Sequence, residues 1–235
     1  MSARRLIVNA DDLGQSPGIN RGIAEAAERG IVTSASLMVH GPAAADAVRW
    51  ALSRPDLSIG LHVDLGEWIA RDGEWVRLYG VAEADDAGAV DAELSRQLGA
   101  FLRLMGRPPT HLDSHQHVHR SEPLRSRMLA AADRLAVPLR GMSATVGYCG
   151  SFYGQWGAGH AYPEGITLSA LLSILDGLPE GTTELGCHPG EDHLSDLDSM
   201  YLAERSVERA TLCDPRLLRA LTDRGIELCS FADAR

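Results

Sequence analysis

Residues 4–14 read RRLIVNADDLG. A short apolar run, Leu6 to Val8, leads into two adjacent carboxylates, Asp11 and Asp12, and then Gly14. The run predicts a buried strand. Neighbouring side chains on a regular strand point to opposite faces. Two acids in a row at its end therefore mean one of two things. Either Asp12 caps the turn into the next helix, as Asp commonly does, or the backbone leaves strand geometry between them so that both face one site. Gly14, just beyond, is where the chain can turn.

Outward from this strand, apolar runs and helical patterns alternate to the end of the chain. A helix is expected over residues 16–30, with Pro17 near its start and Gly30 as its stop. Strands follow at 32–39 and 57–65, separated by a helix at 42–55 that Pro55 ends. A helix at 91–106 leads to a short strand at 110–115, a helix at 122–137 and a strand at 138–143. After a Gly- and aromatic-rich loop come a helix at 167–178, a strand at 182–190, two helical stretches and a last strand at 226–231. Such alternation implies a mostly parallel sheet with right-handed crossovers. About seven units fit a closed barrel or an open doubly wound sheet. No linker or repeat interrupts the pattern, so one domain over residues 1–235 is expected. The long irregular stretches, residues 66–88 and 144–166, are candidates for functional loops.

Composition narrows the partners. The net charge of −10, from 22 Lys+Arg against 32 Asp+Glu, disfavours nucleic acid or an anionic membrane as the main partner. No window approaches the roughly 20 apolar residues of a membrane span, and the run after Arg5 is too short for a signal-peptide core. Cys149, Cys187, Cys213 and Cys229 form no C-x-x-C pair and read as free thiols in a reducing cytoplasm.

Polar residues collect at the C-terminal ends of the expected strands, the edge where parallel α/β folds build sites. Asp11 and Asp12 end the first, His62 lies in GLHVDL, HLDSHQHVH ends another, and Cys187, His188 and Pro189 end a fourth. His111, Asp113, His115, His117 and His119 share one parity, but the strand is expected to end near His115, so only part of the set reaches one point. Clustered imidazoles and carboxylates are what a divalent metal needs. His62 would be costly in a buried strand without a partner; a metal, a backbone carbonyl or Asp64 could supply it. Two touching carboxylates resist ionising together unless a cation lies beside them. With a metal there, one becomes a ligand and the other stays free as a general base.

The segments LIVNADDLG, GIVTSASLMV, IGLHVDL, PTHLDSHQHVH, SFYG and CHP, in this order, resemble the YdjC-like carbohydrate deacetylases (the ChbG/HpnK family), from residue 5 to about residue 190. The resemblance implies an irregular, TIM-like (β/α) barrel with about seven parallel strands. It also implies hydrolysis of an N-acetyl group from a sugar and one divalent metal, zinc or magnesium, held by one Asp and two His. Matched position by position, the metal ligands fall on Asp12, His62 and His115, and the catalytic base on Asp11. His188 is the matching candidate for the general acid. Arg140 is a candidate for orienting a carboxylate or binding substrate, and Asp113 for contacting substrate. Tyr153 and Trp156 are further candidates for substrate contact, in an aromatic loop suited to stacking on sugar rings. Leu13 stands where the family usually has Phe, and residues 147–159 keep little of the pattern beyond FYG. The partners implied are an N-acetylated sugar and, as a default, a second copy of the chain. Rival readings are a phosphoesterase or other amidohydrolase on a barrel, which would mostly need more than one metal, and a sugar-binding relative without catalysis.

Overall fold

The computed structural model describes residues 3–157, 159–195 and 197–234. In chain order its strands are β1 (Arg4–Leu13), β2 (Ser34–Leu37), β3 (Ser58–Val63), β4 (Gly66–Arg71), β5 (Glu74–Gly80), β6 (Leu112–Ser114), β7 (Val146–Cys149), β8 (Gln155–Trp156), β9 (His160–Ala161), β10 (Gly181–Cys187) and β11 (Ile226–Leu228). The α-helices are α1 (Pro17–Arg29), α2 (Ala44–Leu52), α3 (Ala87–Met105), α4 (Leu124–Leu135), α5 (Leu168–Asp176), α6 (Ala203–Leu212) and α7 (Arg216–Asp223). The expected start of α1 is realised: the Ser16 side chain accepts from the Ile19 amide, with Pro17 in the first turn.

Seven strands form one parallel sheet in the order β6-β3-β2-β1-β10-β7, with β11 also paired to β1. β11 lies along Arg4–Leu6 and β2 along Asn9–Leu13, so the two share one edge of β1 in succession. The result is a curled α/β half-barrel. Alternation along β1 sorts its side chains. Leu6, Val8 and Ala10 join the large apolar core. Ile7, on the opposite face, packs with Val146, Cys229 and Phe231 in a small apolar plug. Asn9 and Asp11 share that second face and continue it toward the C-terminal edge. The concave side is thus apolar at one end and charged at the other.

Two expectations change. Residues 138–143 do not form a strand: Leu139 makes a single bridge to Leu112, flanked by the hydrogen bonds Leu112 N to Pro138 O and Arg140 N to Leu112 O. Gly141, at φ 68°, then turns the chain away. The strand that pairs with β10 is instead β7, inside the stretch read as a loop. The two long irregular stretches also carry antiparallel hairpins, β4–β5 and β8–β9. The four cysteines are free thiols. Among the described residues no helix is long and apolar enough to cross a membrane.

Candidate active site

β1 breaks its register with β2 between Ala10 and Leu13, so Asp11 and Asp12 together oppose Ser36. This is a bulge of two residues against one. Asp12 takes φ 66° and Gly14 φ 96°; Asp tolerates the left-handed region better than most residues. The break removes the parity conflict, and both carboxylates reach the same cavity.

Asp12 Oδ1 lies 3.1 Å from His115 Nδ1 and 3.3 Å from His62 Nε2. One donor atom from each of the three residues falls within 4.8 Å of the others, and all three are buried. Asp12 Oδ2 accepts from Arg205 Nη2 at 2.7 Å, which leaves Oδ1 facing the imidazoles. Burial would raise the Asp12 pKa, but Arg205, His115 and His62 hold it well below the usual carboxylate range. Burial would lower that of His62, yet Asp113, Asp12 and Asp11 carry it well above its ordinary value. An anionic oxygen facing two imidazole nitrogens at this spacing is a donor set that fits one divalent cation.

Asp11 is held differently. Arg140 grips it with two bonds of 2.6 Å, Nη1 to Oδ2 and Nη2 to Oδ1. Asn9 Nδ2 donates to Oδ1 at 3.0 Å. The same guanidinium reaches Asp113 at 2.8 Å and Glu184 at 2.7 Å. Burial alone would raise the Asp11 pKa, but Arg140 draws it below its ordinary value. Glu184, the third carboxylate on one cation, is pushed up by burial to about 7 despite Arg140. The carboxylates of a second group of possible metal donors, Asp11, His62 and Asp113, are therefore already paired with an internal arginine.

The cavity above these groups has a volume of about 910 Å³. His188 lines it, with Nε2 3.7 Å from Asp11 Oδ2 and Nδ1 3.8 Å from Glu208 Oε1. Its backbone N–H donates to Glu208, which also accepts from the Tyr201 hydroxyl. Burial lowers the His188 pKa to about 4, so the ring is neutral at pH 7. Tyr153 stacks on Tyr201 with ring centroids 4.5 Å apart and lines the same wall. Trp75 on β5 and Trp156 on β8 stand at the rim.

Asp11, Asp12, His62, His115, His188, Tyr153 and Trp156 all line one cavity. Of the two roles open to Arg140, the structure places it against a carboxylate, Asp11; its side chain and that of Asp113 are fully buried beneath the floor and taken up by other protein groups, not turned toward substrate. Asp113 Oδ1 meets His62 Nδ1 at 2.8 Å, the place Asp64 was a candidate to fill, while its other oxygen accepts from Ser36. Asp64 instead accepts from Tyr79 and its own Gly66 amide. The strand does end before His115, and Gln116 and His117 take left-handed φ of 48° and 53°. His117 therefore lines the cavity, whereas His111 stacks on Phe231 at 3.7 Å and His119 bonds Ser114 and the Arg140 carbonyl. Sequence reading missed Glu67, Arg205, Tyr201 and Glu208. Glu67 lies in the stretch 66–88 singled out as a functional loop; no local pattern marks the others.

A curled parallel sheet with an Asp–His cluster at its C-terminal edge places the chain in a known class of α/β fold. It shares that fold with a peptidoglycan N-acetylglucosamine deacetylase of solved structure, at TM-score 0.61 and 11% identity, over 100% of this chain and 91% of that one. Within this class the chain belongs to the family described as YdjC-like protein, whose profile matches residues 5–223. It is 34% identical to a carbohydrate deacetylase of Geobacillus stearothermophilus, over 98% of each chain. It is 33% identical to a chitooligosaccharide deacetylase of Serratia marcescens, over 97% of this chain and 98% of that one. A solved structure from Enterococcus faecalis V583, assigned provisionally to cellobiose-phosphate cleavage, matches at TM-score 0.80 and 26% identity over 99% of both chains.

Proposed function

We propose that this chain hydrolyses the N-acetyl group of an amino sugar, giving acetate and a free amine. The observation that carries the reading is the convergence of Asp12, His62 and His115 on one point beside Asp11, at the floor of a cavity open to aromatic rims. The names of the relatives, carbohydrate and chitooligosaccharide deacetylase, support the substrate class. Asp12, His62 and His115 would hold one divalent cation, zinc or magnesium, which when bound polarises the acetyl carbonyl and acidifies water.

The remaining work falls to the chain's own groups. Asp11, kept ionised by Arg140, takes a proton from the attacking water. The oxygen of that water bonds the acetyl carbon and the C–N bond breaks. His188, neutral at rest and 3.7 Å from Asp11, receives the proton and delivers it to the leaving nitrogen. Arg140 and Asp113 act from below, fixing Asp11 and the ring of His62. Tyr153, backed by Tyr201, and Trp156 offer flat faces to a sugar.

Arg140 argues against the phosphoesterase reading, because a guanidinium already occupies the second group of acids. The test is acetate release from a panel of N-acetylated mono- and oligosaccharides, with Zn²⁺ and with Mg²⁺, beside phosphate release from phosphate esters. Acetate from at least one sugar is expected. Phosphate release with no acetate from any sugar would overturn the reading.

A further inference from the structure

The two imidazoles of the cluster are turned opposite ways. His62 presents Nε2 to Asp12, and its Nδ1 lies 2.8 Å from Asp113 Oδ1. His115 presents Nδ1 to Asp12, and its Nε2 points away. That Nε2 is buried and has no hydrogen-bond partner. Buried polar atoms are nearly always partnered. An ionisable acceptor stands close: Glu67 Oε2, 3.7 Å away.

Glu67 is 3% exposed. Its Oε1 accepts from the Ser199 hydroxyl at 3.2 Å, and its Oε2 from Gln15 Nε2 at 3.4 Å. These neutral partners hold the carboxylate in place and leave its charge to His115. Glu67 comes from β4, outside the barrel sheet, and the next residue pair secures the approach. Gln116, following His115, accepts from the Trp68 amide at 2.9 Å and donates to the Trp68 carbonyl at 2.6 Å. Residues 115 and 116 thus meet 67 and 68 side by side.

We infer that Glu67 is the orienting carboxylate of His115: it accepts the Nε2 proton and commits Nδ1 to the cation. Asp113 does the converse for His62, accepting the Nδ1 proton and committing Nε2. The inference rests on the cation reading above. It makes Glu67 a positioning residue, and it makes the β4–β5 hairpin part of what retains the cation. Carboxylates placed behind metal-ligating histidines fix ring orientation and tautomer in this way.

The test is Zn²⁺ titration by calorimetry of the full chain, its Glu67→Ala and Glu67→Gln variants, with ¹⁵N-histidine NMR of the Zn²⁺-loaded wild type. Glu67→Ala should bind about 10–100-fold more weakly. Glu67→Gln keeps an oxygen acceptor and should recover most of that loss. The spectrum should show one histidine bound through Nδ1 and one through Nε2. Unchanged affinity in a folded Glu67→Ala, or two histidines bound through Nε2, would overturn the inference and leave the cation reading standing. Should Glu67→Ala not fold, the wild-type spectrum still decides. A wild type that takes up neither Zn²⁺ nor Mg²⁺ would overturn both.

Discussion

At the floor of the cavity Arg140 is wholly buried and meets Asp11, Asp113 and Glu184 within 2.8 Å. At the rim Trp156 is 64% exposed, and its ring lies 5.2 Å from that of His160. Each floor group is held by several others, so a change there leaves charges buried without partners. A rim aromatic has little around it to disturb. The floor should thus decide whether the reaction occurs at all, and the rim which sugars reach it.

Asp11→Asn is the sharpest way to break this division. The amide keeps the size of the carboxylate but cannot take the proton from water. Turnover should fall by about 10²- to 10⁴-fold on every accepted sugar, while Zn²⁺ uptake stays at one per chain. A variant that retained full acetate release would remove Asp11 from the chemistry. Arg140→Ala probes the same floor through stability. It takes the shared cation from three buried carboxyl groups, and loss of one member of a buried ion pair costs about 3–5 kcal/mol. Urea unfolding should show that loss at pH 7; a change under about 1 kcal/mol would mean the network is not what holds the floor.

The division also explains what could be read from the chain. The break between Asp11 and Asp12 was legible because a period-2 strand cannot aim both acids one way, and the bulge with φ 66° at Asp12 resolves it. His62 and His115 were legible as polar residues at strand ends. Arg205 was not: it reaches Asp12 from α6, 193 residues away, and nothing in the sequence of its helix distinguishes it from its half-buried neighbours. Arg140 was legible from the resemblance as a residue that could orient a carboxylate, but its depth and that of Asp113 were not, because sequence position gives direction and not depth. β7 was missed because the run at residues 138–143 looked more regular than Val146–Cys149, and the Gly141 turn outweighed it.

A smaller effect separates the floor's charges from one another. Glu184 is raised by burial from 4.5 to about 7. Between those values the folded chain holds a proton that the unfolded chain releases. The stability this contributes is complete below about pH 4.5 and is lost as pH rises through about 7. Glu184→Gln keeps an acceptor for Arg140 and removes the titration. The stability of the variant relative to wild type should therefore grow by about 2 kcal/mol from pH 5 to pH 8, read by urea unfolding at each pH. A difference independent of pH would mean that Glu184 is not the group that holds the proton.

The smallest expected effect belongs to the rim. Trp75 and Trp156 line the cavity, while Trp68, 46% exposed, does not. A stacked aromatic contact is worth about 0.5–1.5 kcal/mol, which corresponds to roughly 2- to 13-fold in an equilibrium constant. Trp156→Ala and Trp75→Ala should raise KM by about that factor with kcat nearly unchanged, and more for longer oligosaccharides than for a monosaccharide. Trp68→Ala should leave both constants alone, since its hold on Gln116 is through the backbone. A fall in kcat in the Trp156 variant equal to the fall in kcat/KM would mean that the rim acts in the chemical step. The line between floor and rim would then have to be drawn outside Trp156.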